Sequence, residues 1–127
     1  MNDWRKQWGI GEFPFYYAQI APFNYNKGEE KGQNSAYLRE AQAKCLGIVP
    51  SSGMIILTDI GDARTIHPME KETVGNRFAY MALGLTYGKK GFPVTGPLYK
   101  SMQIEGNKIA VSFDEVGKGL TTYRQPL

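Results

Sequence analysis

His67 is the only histidine of the chain, and two carboxylates precede it in Asp59-Ile60-Gly61-Asp62-Ala63-Arg64-Thr65-Ile66-His67-Pro68. Imidazole is the usual general base at neutral pH, and a carboxylate beside it fixes its tautomer and stabilises its charged form. Proton transfer in support of a nucleophile is the chemistry this set could perform. The candidate catalytic residues are therefore His67 with Asp62 or Asp59 as its orienter. Asp62 is nearer in sequence, and Asp59 follows the preceding apolar run more directly. A purely structural reading uses the same residues: His67 caps a helix while Asp59 and Asp62 make turns.

An acyl-transfer triad also needs a nucleophile and an oxyanion hole. The serines are Ser35, Ser51, Ser52, Ser101 and Ser112, and none stands in a Gly-x-Ser-x-Gly elbow after a strand. Ser51 and Ser52 precede an apolar run, at the wrong end of a sheet. Cys45 falls on an apolar helix stripe, where a buried, inert thiol is expected. A single histidine and a single cysteine leave no multi-cysteine zinc site, no internal disulfide and only a weak case for any metal. Gly28-x-x-x-Gly32 and Gly9-Ile10-Gly11 lack the strand-to-helix setting and the lysine of a phosphate loop, so they read as turns. Tyr16, Tyr17, Phe23 and Tyr25 could line a sugar or base platform, but core and loop packing explain them more cheaply.

The elements that would position the loop follow from periodicity. Trp4 and Trp8, four apart, share one face of a short helix within residues 1–12. Phe13 to Phe23, bracketed internally by Pro14 and Pro22, reads as a buried strand. Residues 24–34 are polar and glycine-bearing and read as a surface loop. A helix is expected from Ser35 to Leu46, with Tyr37, Leu38, Ala41, Cys45 and Leu46 on its apolar face and Asn34 or Ser35 as cap. Met54-Ile55-Ile56-Leu57 is continuously apolar, as suits a parallel strand covered on both faces. The Asp59–His67 loop then lies at that strand's carboxyl end, the usual place for a site in an open α/β sheet. Pro68 suits the first position of a helix running to about Tyr87, with Val74, Phe78, Met81 and Leu85 on one face and Gly88 as its stop. Met102–Ile104 and Lys108–Phe113, joined through Glu105-Gly106-Asn107, read as a β-hairpin. The order is α/β layers followed by a short β-rich C-terminal segment. Residues 13–21 and 54–60 are expected as adjacent parallel strands joined by a right-handed crossover.

The chain has 127 residues, of which 42% are hydrophobic and 13% aromatic, which excludes a disordered tail and suits one domain or part of a larger one. Its formal charge of +3 is spread among acidic residues, so a nucleic-acid partner is not expected. No apolar run approaches the ~18 residues of a membrane span. The first residues, Met-Asn-Asp-Trp-Arg-Lys, have no apolar stretch of the signal-peptide kind.

Taken as a set, certain stretches resemble the sialate O-acetylesterase family, a carbohydrate-acetylesterase branch of the SGNH hydrolases. They are Asp3-Trp4-Arg5 with Trp8-Gly9, Phe13-Pro14-Phe15 with Gln19-Ile20-Ala21-Pro22, and Leu38-Arg39-Glu40-Ala41-Gln42. Further on come Asp59-Ile60-Gly61-Asp62, Ile66-His67-Pro68 with Lys71, Val74-Gly75, Gly96-Pro97 and Glu105-Gly106-Asn107-Lys108. The resemblance implies a partial flavodoxin-like parallel sheet with helices over residues 1–90, and the start of a small β module over 91–127. It implies removal of O-acetyl groups from sugars, sialic acid included, by a serine-based site that needs no cofactor. His67 matches the family's catalytic histidine. Arg64 stands where many SGNH enzymes carry the partner aspartate, which leaves Asp59 and Asp62 as substitutes.

The family's serine lies in a Gly-Gln-Ser-Asn-type motif that is absent here. Gly32-Gln33-Asn34-Ser35 has the order scrambled. The chain then corresponds to the His/Asp-bearing C-terminal part of such an enzyme, inactive alone, with the serine-bearing half as its partner or with self-association through uncovered strand edges. Family members are often exported. The rival reading is a non-catalytic carbohydrate-binding or interaction module built on the β segment and the aromatics.

Overall fold

The computed structural model describes residues 1–25, 34–117 and 119–120. Most of the expected 24–34 loop, with Gly28 and Gly32, lies outside them, as does the end of the 91–127 segment.

Helix α1 (Asn2–Trp8) stops at Gly9, whose φ of 65° is the left-handed cap conformation that glycine adopts without steric cost. Trp4 meets Phe15 edge-on with ring centres 6.0 Å apart, and Trp8 tilts over Phe13 at 5.4 Å. The Arg5 guanidinium donates to the Phe13 carbonyl at 2.8 Å and to the Pro50 carbonyl at 2.8 Å. One side chain thus ties α1 to the segments that lead into both strands of the sheet.

Those strands, β1 (Phe15–Ala18) and β2 (Ser52–Ile55), pair in parallel, with Tyr17 opposite Met54 and Ala18 opposite Ile55. The parallel pairing is the one expected, but β1 covers only part of 13–21, and β2 starts two residues before 54 and ends at Ile55, so 56–60 are not strand. Past Ala18 the Gln19 N–H still donates to the Ile55 carbonyl at 2.9 Å. The next N–H, that of Ile20, turns away from β2 and donates to Gln42 Oε1 at 3.0 Å, while Gln42 Nε2 donates to the Ala18 carbonyl at 3.4 Å. One carboxamide thereby occupies the two positions that a further strand's backbone would take.

Met54, Ile55 and Leu57 are all buried. Successive residues of a strand point to opposite faces, so this is a strand covered on both sides. Ser52, expected in the preceding turn, instead starts β2 opposite Phe15.

Helix α2 (Asn34–Cys45) forms where the spacing predicts, but it docks by another face. Tyr37 is 65% and Leu38 49% exposed, and Ala41 and Leu46 are exposed as well. The more buried positions are Ser35, Arg39, Gln42 and Cys45, also at helical spacing. Hydrogen bonds decide the orientation: Tyr17 OH donates to the Gln42 carbonyl at 2.7 Å, and the buried Gln19 donates through Nε2 to the Arg39 carbonyl at 3.1 Å. Leaving such buried polar groups unpaired costs more than exposing part of an apolar stripe.

Helix α3 (Lys71–Met81) starts three residues after Pro68, which stands outside it rather than at its first position. It brings Val74, Phe78 and Met81 onto Ala21, Ile55, Leu57 and Ile60, the small core of the molecule. The helix then widens into a π-helical turn at Ala82–Thr86, with the Tyr87 N–H donating to the Ala82 carbonyl at 3.1 Å. The extra residue rotates Leu85 away from the stripe, and it is exposed. Tyr16 and Thr86 hold this turn to β1 through a 2.6 Å hydroxyl pair. Gly84 lies so close to Val94 that a Cβ would not fit.

Strands β3 (Leu98–Glu105) and β4 (Lys108–Asp114) form an antiparallel hairpin in a sheet of its own, with a bulge at Lys100. The turn needs a left-handed residue and has Gly106 at φ 63°. Tyr99 faces Phe113, Met102 faces Val111 and Ile104 faces Ile109, so one side of the hairpin is apolar and largely exposed.

Candidate functional site

The loop that carries the candidate residues leaves β2 through Leu57 and is anchored step by step. Ile60 is buried in the core, and its N–H donates to the Leu57 carbonyl at 3.3 Å. Gly61 packs on Pro22 so closely that a Cβ would overlap the Pro22 ring and carbonyl. The Asn24 N–H donates to the Ala63 carbonyl at 3.3 Å. The path from Leu57 to Ala63 is therefore held against the chain that follows β1.

Asp59 accepts a two-pronged contact from Arg77 of α3: Nη1 to Oδ1 at 2.8 Å and Nη2 to Oδ2 at 2.5 Å. Arg77 Nη1 also donates to the Ile56 carbonyl at 2.5 Å. The hydrogen-bonded guanidinium holds the Asp59 carboxyl below its ordinary range and raises Arg77 in turn. Asp59 and Arg77 also border a hollow of about 530 Å³ beside Thr58, Tyr80 and Thr95.

Asp62 closes a local turn. Its Oδ1 accepts the Arg64 N–H at 2.7 Å and its carboxylate pairs with the Arg64 side chain at 3.4 Å, which together lower the carboxyl pKa. The His67 N–H donates to Thr65 Oγ1 at 3.2 Å, and the residue is exposed. Among the described residues neither Asp59 nor Asp62 pairs with the His67 ring; each is engaged by an arginine. The structure places all three in one loop without joining the carboxylates to the imidazole.

The two ion pairs differ in strength. The Arg64 side chain is 91% exposed, and such a surface pair contributes little. The Asp59–Arg77 pair is partly sheltered, at 45% and 31%, and bidentate. Asp62 is held chiefly by the Arg64 backbone N–H, and its side-chain ion pair is the weaker of the two.

Arg77 is the residue that motif reading missed. The signal was its position: three after Val74 and four before Met81, it is a charge beside the inward stripe of α3.

Because the folded-state pKa of Asp59 is depressed, the pair contributes stability above the unfolded carboxylate range, near pH 4. That contribution is lost as pH falls through the lower folded value. Thermal melts of Asp59→Asn and the native chain should therefore differ at neutral pH and converge in acid. A constant difference across pH would assign the loss to something other than ionisation.

Among the described residues no helix is long and apolar enough to cross a membrane, and no three His, Cys, Asp or Glu side chains are gathered as metal ligands.

The parallel pair flanked by helices, with a loop bearing His67 at its carboxyl edge and a β-hairpin after it, is part of an α/β fold of the SGNH-hydrolase type. More narrowly, the chain is similar to one portion of sialate and carbohydrate acetylesterases. A carbohydrate acetylesterase from Xanthomonas citri superposes with a TM-score of 0.75 at 33% identity, over 89% of this chain and 26% of that one. The sialate O-acetylesterases of Mus musculus and Homo sapiens are each 27% identical, over 82% and 85% of this chain. The chain spans 22% and 23% of their lengths. No protein-family model matches it.

Proposed function

We propose that this chain is the His/Asp-bearing part of an enzyme that hydrolyses O-acetyl esters on carbohydrates, with sialic acid or a related acetylated sugar as substrate. Residues 1–90 belong to the esterase domain, and residues 91–127 begin a β-rich module. The observation that carries the reading is the position of His67: it lies in the loop that follows the carboxyl end of a buried parallel strand, exposed, with no side chain among the described residues hydrogen-bonded to its ring. The likeness to acetylesterases over most of the chain supports the reaction type.

In this mechanism a serine from a second, serine-bearing half attacks the acetyl carbonyl carbon while His67 takes the hydroxyl proton. His67 returns the proton to the sugar oxygen as the C–O bond breaks, which leaves an acetyl-enzyme. Water, deprotonated by His67, then attacks that ester and releases acetate and the free serine. Asp62 is the carboxylate we assign to support the imidazolium, since its side-chain ion pair with exposed Arg64 is the weaker of the two; Asp59 is the alternative.

The nucleophile and the oxyanion hole lie outside this chain in this reading. The isolated chain should hydrolyse an aryl acetate no faster than its His67→Ala variant, and adding the serine-bearing half should restore His67-dependent turnover. Strong turnover by the chain alone would reveal a nucleophile within it, with Ser35 and Ser52 the first to substitute. Binding of carbohydrate without turnover in the combined protein would favour a non-catalytic binding module instead.

A further inference from the structure

We propose that Asp59 and Arg77 form a clamp that positions the His67 loop, with Arg77 a positioning residue that never touches the reacting atoms. The inference rests on the esterase reading only for the role of His67; the clamp itself is a statement about the loop.

Three observations carry it. Arg77 projects from the core-facing side of α3 and reaches two places at once, the Ile56 carbonyl at the end of β2 and the Asp59 carboxylate at the start of the loop. It thereby ties a helix, a strand end and a loop through one planar group, which a fork of fixed N–H donors is suited to do. Immediately after Asp59 the chain is pinned on its other side, with Ile60 in the core and Gly61 against Pro22. The segment Leu57–Gly61 is thus held from both flanks, and its direction determines where the next six residues carry His67. Finally, both oxygens of Asp59 are engaged by Arg77, which fixes the orientation of the carboxylate at the start of the loop.

The test uses the 127-residue chain and nuclear magnetic resonance, where the single histidine makes its ring signals unambiguous. Backbone amide exchange at Ile60 and His67, and the His67 ring signals, are compared among the native chain, Asp59→Asn, Arg77→Gln, Arg77→Lys and a control, Tyr16→Phe. The control removes the Tyr16–Thr86 hydroxyl pair without touching the clamp. Asp59→Asn and Arg77→Gln should both accelerate exchange at Ile60 and His67 by about tenfold or more and broaden or split the ring signals. Arg77→Lys should lie between them and the native chain, because an ammonium can hold the carboxylate or the carbonyl but lacks the fork.

Tyr16→Phe should leave the loop signals in place. Should Arg77→Gln not fold, the isosteric Asp59→Asn with the control still decides. A change in Asp59→Asn without one in Arg77→Gln would overturn the clamp in favour of direct Asp59–His67 contact. Unchanged loop signals in both, or equal changes in Tyr16→Phe, would overturn it altogether. None of these spectra depends on ester hydrolysis, so the clamp and the esterase reading can fail separately.

Discussion

In an enzyme that combines this chain with a serine-bearing half, His67→Ala should lower kcat for an acetylated sugar by about 10⁴- to 10⁶-fold. The magnitude follows from the role assigned to the imidazole. A serine hydroxyl is a poor nucleophile until a base takes its proton, and the same base must then protonate the departing sugar oxygen. Both steps lose their catalyst together, while binding and oxyanion stabilisation by the other half remain and set the residual rate. KM should change far less than kcat, because His67 acts on the transition state rather than on ground-state binding. Steady-state kinetics on native and variant enzymes would check this. A loss of only a fewfold, or one confined to KM, would leave His67 an exposed loop residue, since Glu70 and not His67 precedes α3, and would remove the esterase reading from this loop. Asp62→Asn should reduce kcat in the same direction by a smaller factor, since a histidine without its carboxylate still accepts a proton.

Met81→Ala should have the largest effect on stability, a loss of about 2–5 kcal/mol. Met81 is 1% exposed and lies among Ala21, Ile55, Leu57 and Ile60, with Val74 and Phe78 at the margin. Its sulfur sits where a side chain on Gly53 would otherwise be, directly over the backbone of β2. Truncation would open a void between α3 and the sheet at the point where they meet most closely. Domains of this size are stable by about 5–15 kcal/mol in total, so the variant should melt far lower or fail to fold. Calorimetric or circular-dichroism melts would measure it. A melting temperature within a degree or two of the native value would mean that α3 is not held on β2 by this contact. Met81→Leu, which conserves volume, should cost under about 1.5 kcal/mol and serves as the matched control.

Much of this architecture was legible in local pattern. The apolar run at Met54–Leu57 required a strand buried on both faces, and β2 is one. The stripe Val74, Phe78, Met81 required a helix against it, and α3 supplies that helix. Glu105-Gly106-Asn107 required a hairpin, and Gly106 adopts the left-handed turn conformation. In each case side-chain volume and backbone conformational preference act over a few residues and leave little freedom.

Other features depended on partners distant in sequence. Helix α2 does not dock by Tyr37, Leu38, Ala41 and Leu46, although Cys45 of the same stripe is half-buried, because the hydrogen bonds of Gln42 and of the Arg39 carbonyl to β1 and the residues after it outweigh that stripe. On the edge of β1 away from β2, a carboxamide from α2 takes the place of a further strand. Leu85 left its predicted face because a π-helical turn inserted one residue, next to the close approach of Gly84 and Val94.

The sequence by itself determined the kinds and order of elements, the strand that must lie inside and the loop that holds the only histidine, since hydrophobic periodicity and turn chemistry are local. Only the tertiary structure decided how the charges pair. Asp59 and Arg77 are eighteen residues apart, and nothing in their spacing announces a contact. Packing α3 on β2 brings the guanidinium to the carboxylate, and a partly sheltered, bidentate ion pair is strong enough to keep it there. Asp62, by contrast, is engaged locally, by the backbone N–H and the side chain of Arg64 two residues on.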